Sequence, residues 1–244
     1  MGNVLVRFYA ELGDLLPPEK RGREFEHVFP VGGAVKDLVE GLGVPHTEVD
    51  LILVDGRSVD FTHRVGWGER ISVYPVFEAL DISPVTRLRP RPLRQVRFAA
   101  DVHLGRLAGY LRLAGFDTCY RNDWADEELV ECAVQEGRII LTRDRGVLMR
   151  AAVTHGYLVR SSSPRRQLAE VLDRFDLRRS LAPFTRCSVC NSVVERVDKQ
   201  AVASELPPRT ARHYEEFWRC NGCGRIYWKG AHYRSLEQLF APPT

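Results

Sequence analysis

Positions Val4–Phe8 alternate apolar with polar side chains, which is the period of a strand with one buried face. After Gly32-Gly33, Val35, Leu38, Val39 and Leu42 recur at helical spacing and predict a helix over Ala34–Leu42. Leu51–Val54 is a short apolar strand closed by the turn signal Asp55-Gly56. Arg70–Phe77 predicts another strand, entered through Gly66-Trp67-Gly68. The pattern then changes. Residues 81–94 hold Pro84, Pro90 and Pro92 among Arg87, Arg89, Arg91 and Arg94, and predict an extended basic linker rather than a regular element.

Beyond the linker, strands and helices alternate. Val96–Ala100, Asp117–Tyr120, Ile139–Thr142 and Tyr157–Arg160 read as strands. Leu104, Leu107, Ala108 and Leu111 mark one helix, with Gly115 as its C-cap. Asp126–Glu136, Asp144–Ala152 and Pro164–Phe175 predict three more. This order implies a parallel sheet with helices on both faces. In such sheets the functional site lies beyond the C-terminal ends of the strands.

The last segment has its own signature. Cys187-Ser-Val-Cys190 and Cys220-Asn-Gly-Cys223 are two C-x-x-C doublets separated by 29 residues. Four thiolates of this kind close a tetrahedral zinc site. The spacer exceeds the usual ~15–20 residues, so a small insertion is expected between the two knuckles. Two disulfides are the alternative. A four-thiolate site leaves no open position, so its zinc is structural. Cys119 and Cys132 stand singly in apolar contexts, and the overall cysteine usage fits a reducing cytoplasm.

Charge divides the chain in the same places. Residues 1–86 carry 8 Lys and Arg against 14 Asp and Glu, whereas residues 87–180 carry 18 against 12. The acidic front is a poor partner for a polyanion, and the basic remainder a good one. The middle contains no lysine, and arginine forks match phosphate geometry. A GC-rich genome is an equal explanation for that bias. No apolar run reaches the ~20 residues of a membrane span. The early charges of Met1–Glu11 do not read as a signal peptide.

Asp101 directly follows the strand Val96–Ala100, and Asp144 follows Ile139–Thr142 within Thr142-Arg143-Asp144-Arg145. Asp126 opens the helix after the second strand, beside Glu127 and Glu128. Carboxylates gathered on one sheet edge repel unless a cation joins them, and hard oxygen donors suit Mg²⁺ or Mn²⁺. A single aspartate after a strand is often only a helix N-cap, and Asp126 alone reads equally as one, whereas Asp101 and Asp144 together on one edge of a basic domain favour function.

Two resemblances extend this reading. The first segment, with Gly-Glu-Arg-Ile-Ser-Val-Tyr-Pro at 68–75, resembles the ubiquitin-like sulfur carriers. Those end in an activated Gly-Gly, whereas this chain continues through Phe77-Glu78-Ala79-Leu80, so a docking or scaffold role with a protein partner is expected. The runs Asp101–Ala108, Leu111–Thr118 and Glu136–Arg145, with 183–191 and 223–233 around the cysteines, resemble the PIN-like ribonuclease family named for the C-terminal part of the "Mut-seven" exonuclease. The implied architecture is a ubiquitin-like β-grasp domain at 1–80, a linker at 81–94, a PIN-like domain at 95–180 and a zinc ribbon at 181–244. The resemblance implies a metal-dependent ribonuclease acting on RNA, with Asp101, Asp126 and Asp144 as Mg or Mn ligands and catalytic residues. Glu127 and Glu128 are substitutes for Asp126. Many PIN domains place a fourth acid where this chain has Ser161-Ser162-Ser163. That departure keeps a second expectation open, a non-catalytic RNA- or ribosome-binding protein. Arg106, Arg143 and Arg145 are placed to hold phosphates, with a solvated basic face as the alternative. His103 reads as a packed or solvent-facing side chain before it reads as an acid. In the ribbon, Arg225, Trp228 and Lys229, near Tyr227, His232 and Tyr233, suit base stacking and phosphate contact. Of Tyr227 and Trp228, one is expected inside the ribbon and one outside.

Overall fold

A computed structural model describes residues 2–75, 88, 96–230 and 240. The proline- and arginine-bearing linker (apart from Leu88), the segment Phe77–Leu80, and His232 and Tyr233 lie outside the described residues. The strands and helices run, in chain order, β1 Gly2–Phe8, β2 Phe25–Phe29, α1 Val35–Gly41, β3 Val49–Val54, β4 Arg57–Val59 and β5 Arg70–Pro75. Next come β6 Phe98–Ala100, α2 Gly105–Leu113, β7 Thr118–Cys119, α3 Asp126–Glu136, β8 Ile139–Thr142, α4 Arg145–Leu148, β9 Gly156–Leu158 and α5 Pro164–Arg174. The C-terminal part holds β10 Val194–Val197, α6 Lys199–Val202, α7 Pro208–His213, β11 Phe217–Cys220 and β12 Ile226–Trp228.

These elements form two compact units that interleave along the sequence. One comprises residues 1–95 and 126–158, the other 96–125 and 159–244. In the first unit, a sheet of order β2-β1-β5-β3-β4 pairs β1 with β5 in parallel and its other neighbours antiparallel. The alternation in β1 does what its period requires. Val4, Val6 and Phe8 are buried and Asn3 and Leu5 exposed, with Val6 opposite Ile71 and Phe8 opposite Val73. Val35, Leu38 and Val39 of α1 are fully buried in the same unit.

The first unit also contains α3, β8, α4 and β9. β8 and β9 pair in parallel, with Ile140 opposite Gly156 and Thr142 opposite Leu158. All four residues of β8 are buried, as expected of a strand covered on both faces. A 3-10 turn at His46–Glu48 lies against β9. Glu48 is fully buried, and its Oε1 accepts the Leu158 N–H at 2.5 Å. His46 is buried between two acceptors, with Nδ1 2.6 Å from Glu40 Oε1 and Nε2 2.7 Å from Val153 O.

In the second unit, β6 and β7 pair in parallel and α2 packs on α5. Phe98 stands edge-on to Phe116 and Phe175, at centroid distances of 6.3 and 5.6 Å. Gly115 takes φ 100°, and a side chain there would run into the Ala182 backbone, so the predicted C-cap is also a close approach. The ribbon is the antiparallel sheet β10-β11-β12. Helices α6 and α7 fill the long spacer between β10 and β11, which is the insertion that the 29-residue spacing predicts. Val202 and Leu206 from the insertion are buried with Phe217, and Trp228 packs on that cluster.

Candidate metal centre and strand-end acids

Two tight turns aim the four cysteines at one point. In the first knuckle, Asn191 N–H donates to Cys187 O at 3.0 Å, and the Cys190 N–H points at Cys187 Sγ at 3.5 Å. In the second, Gly224 takes φ 71° and donates to Cys220 O at 3.0 Å. The N–H groups of Gly222 and Cys223 point at Cys220 Sγ at 3.3 and 3.4 Å. Position 222 must be glycine, because a Cβ there would collide with the Ser192 hydroxyl. All four sulfurs lie within 4.8 Å of one another, with Cys190–Cys220 at 3.3 Å and Cys187–Cys223 at 3.6 Å. A tetrahedron with Zn–S of ~2.3 Å has edges of about 3.8 Å. The donor set and spacing therefore fit zinc.

The electrostatics of the cluster carry the same message. Burial opposes ionisation of the Cys190 thiol, but hydrogen bonds from Ser192 and the neighbouring thiols outweigh it and hold its pKa at about 6. The Arg225 amide favours the Cys223 thiolate, yet burial and three crowding thiols push its pKa up to about 12. Four thiols this close cannot all ionise without a cation among them. Tyr227 supports the cluster through its hydroxyl, which lies 3.0 Å from Cys187 Sγ and accepts the Ser188 N–H at 3.2 Å. Burial and then the Cys187 contact raise its own pKa to about 12.

The strand-end aspartates occupy different surroundings. Asp101 ends β6, is 5% exposed and opens the 3-10 turn Val102–Leu104, with Leu104 N–H bonded to its carbonyl at 2.8 Å. Tyr120 fixes this turn by donating to Val102 O at 3.1 Å, and its ring covers Gly105, where a Cβ would sit 2.5 Å from the hydroxyl. Asp144 is exposed and caps α4. Its Oδ1 accepts Gly146 N–H at 2.7 Å while its own N–H donates to Thr142 Oγ1 at 2.9 Å. Asp126, the first residue of α3, is ion-paired with Arg150 at 3.3 Å, and Glu127 meets the same guanidinium at 2.8 Å. The Arg150 hydrogen bond holds the Glu127 carboxyl below its usual range. Among the described residues, the four cysteines are the one group of three or more His, Cys, Asp and Glu with ligand atoms this close; the three aspartates form no such group.

Comparison with known proteins decides the family. The model of the Mut7-C RNAse domain matches residues 96–240, more than half of the chain. The chain belongs to the Mut7-C RNAse domain family. The model of the Mut7-C ubiquitin domain matches residues 1–81, so the first segment is a ubiquitin-like β-grasp. No curated protein sequence matches the chain. Solved structures similar to part of it include a putative molybdopterin converting factor subunit 1 from Pyrococcus furiosus, at 24% identity and TM-score 0.26. It covers 32% of this chain and 100% of its own. Small archaeal modifier protein 1 of H. volcanii has the same coverage and TM-score at 13% identity.

Within the Mut7-C RNAse domain, the serine run 161–163 has a carboxylate beside it that sequence reading missed. Glu170, one α5 residue among several polar ones, accepts the N–H groups of Arg160 at 2.7 Å and Ser161 at 2.9 Å. No motif marks it, because only the return of α5 past residues 160–161 brings it there. The basic candidates Arg106, Arg143, Arg145 and Arg225 are exposed. Lys229 is exposed, pairs with Glu216 at 3.4 Å and lies 5.4 Å over the Trp218 ring. Tyr227 and Trp228 are both half-buried, one against the thiols and one in the second ribbon cluster. The expected split of one inside and one outside is not what the ribbon does. With so small a core, it recruits both rings.

Proposed function

We propose that this chain is a metal-dependent ribonuclease that hydrolyses RNA phosphodiester bonds. One observation supports this beyond family membership. Asp101 is a buried carboxylate directly after a buried strand, where parallel α/β folds bind ligands. Asp101, Asp126 and Asp144 would hold Mg²⁺ or Mn²⁺ as hard oxygen donors. When bound, such an ion lowers the pKa of water and neutralises charge on the phosphodiester. Asp101 is kept in place by the Tyr120 bond to Val102 O. Asp144 is held by its cap to Gly146. Arg106, Arg143 and Arg145 supply phosphate contacts, and Arg225, Trp228 and Lys229 extend the RNA surface onto the ribbon. Cys187, Cys190, Cys220 and Cys223 hold structural zinc.

We assign the domains as 1–80, 95–180 and 181–244, with 81–94 as linker. The β-grasp domain is a docking module for a protein partner. No helix among the described residues is long and apolar enough to cross a membrane, and the pattern of cysteine usage suits a reducing cytoplasm.

A second reading is an RNA- or ribosome-binding protein without cleavage. It is favoured by the engagement of Asp126 and Glu127 with Arg150 and by serines at 161–163. Incubation with cellular RNA and Mn²⁺, beside Asp101→Asn and Asp144→Asn, separates the two. Cleavage by the parent chain alone supports the nuclease. Salt-sensitive binding without cleavage supports the second reading.

A further inference from the structure

We propose that the first cysteine knuckle and the α2–β7 edge form one metal-dependent unit, with Arg112 and Asn191 as the residues that couple them. The coupling rests on the zinc reading and not on catalysis.

Arg112 lies in the last turn of α2 and is 5% exposed. Its Nε donates to Thr118 O at 2.8 Å, and its Nη1 to Val189 O at 2.7 Å and Ser188 O at 3.3 Å. Ser188 and Val189 are the two residues between Cys187 and Cys190. This short turn therefore sends its carbonyls to the guanidinium while the Cys190 N–H faces Cys187 Sγ. The peptide orientations that suit thiolate ligands are the ones Arg112 holds.

Asn191 completes the clamp. It takes φ 70°, which asparagine tolerates better than most residues. Its Oδ1 accepts Thr118 N–H at 3.1 Å and its Nδ2 donates to Asp117 Oδ1 at 2.8 Å. Thr118 is thus gripped at its N–H by Asn191 and at its carbonyl by Arg112. Arg186, one residue before Cys187, adds an ion pair to Asp117 at 3.5 Å.

Four thiolates around a divalent cation carry a net charge of about −2 by formal count. Burial holds the Arg112 pKa below its ordinary value, and the charges of Cys119, Cys187, Cys190 and Asp117 offset only part of that. A buried cation left without its partners is strongly destabilising. Unfolding of the knuckle would strip Arg112 of two of its three acceptors. From Thr118 the contacts continue to the Asp101 turn. Thr118 is paired with Phe98 of β6, and Tyr120 bonds to Val102 O. Metal loss would loosen the β7 edge and the turn that carries Asp101.

The test compares the full-length chain loaded with Zn²⁺ or Cd²⁺ against the same chain stripped by a chelator. Hydrogen exchange is followed over Leu111–Cys119 and Asp101–Gly105, with residues 2–54 as internal control. Removal is expected to speed exchange in both stretches at least ~10-fold and to leave the control unchanged. Cd²⁺ titration by thiolate absorbance should show binding about 10–100-fold weaker in Arg112→Gln, the usual cost of losing an outer-shell partner. Arg112→Lys and Asn191→Ala should fall between. Exchange that ignores metal removal overturns the coupling, and unchanged Cd²⁺ affinity in Arg112→Gln overturns the part given to Arg112. Failure of the parent chain to bind either metal overturns the zinc reading itself. Should Arg112→Gln not fold, the stripped parent chain and Asn191→Ala decide.

Discussion

Glu48 offers the sharpest test of how the β-grasp sheet is fastened to the α3–β9 segment of the same unit. The carboxylate is fully buried and accepts the Leu158 N–H at 2.5 Å across 110 residues of sequence. Leu158 ends β9, so this bond satisfies a strand N–H that would otherwise lack an acceptor there. A hydrogen bond to a charged acceptor contributes ~1.5–3 kcal/mol, and a buried donor left without one costs about 1–3 kcal/mol. Glu48→Ala should therefore open the Leu158 amide by on the order of 2 kcal/mol, close to 30-fold in its exchange rate. Glu48→Gln retains an acceptor oxygen and should lose about half of that. Exchange measured at the Leu158 amide by NMR reads the local opening without requiring two-state unfolding of the whole chain. Exchange in Glu48→Ala within about threefold of the parent would refute the reasoning.

Gly105→Ala places a methyl against the Tyr120 hydroxyl and should destabilise by about 1–3 kcal/mol; in a denaturant series, combining it with Tyr120→Ala should cost less than the sum of the two. His27 has a pKa below its ordinary value, through burial and then Lys20, so its protonation is harder in the folded state. The stability it allows is complete above about pH 6.5 and declines as pH falls below it, and His27→Gln should flatten that decline in pH-dependent melts. Cys223→Ser should abolish stoichiometric zinc, measured by elemental analysis, while leaving the exchange of residues 2–54 unaltered. Arg150→Gln releases Asp126 and Glu127; a lower Mn²⁺ concentration for half-maximal RNA cleavage is expected if either acid is the third ligand, and no change would point to Glu128.

The sequence announced the parts whose information is local. Val4–Phe8 and Ile139–Thr142 became strands because period and burial run along neighbouring residues, and Cys187, Cys190, Cys220 and Cys223 were legible because turn geometry fixes C-x-x-C spacing. Asp101 and Asp144 stood out because strand ends can be counted, and both do follow buried strands. Of the strand predicted over Arg70–Phe77, the described residues Arg70–Pro75 form β5, and positions 76 and 77 lie outside the described residues. What stayed hidden depends on contacts that local patterns do not encode. Nothing near Arg112 says that it reaches Ser188 and Val189, 76 and 77 residues later.

Asp126 shows where the two kinds of information conflict. Its place at the head of α3 makes it both an N-terminal helix charge and a candidate ligand, and sequence position alone does not separate these. The structure adds Arg150, a third claim on the same carboxylate. A carboxylate shared with a guanidinium gives up that pairing to bind a cation, so metal affinity at this position is reduced by whatever the pair contributes. Exposed pairs of this kind contribute little, because solvent screens them, a small obstacle beside the binding of a divalent ion. The Arg150 pair therefore does not by itself exclude Asp126 from the proposed metal site. The ion pair weighs against Asp126 as a ligand far less than the four-atom cysteine cluster weighs in favour of zinc.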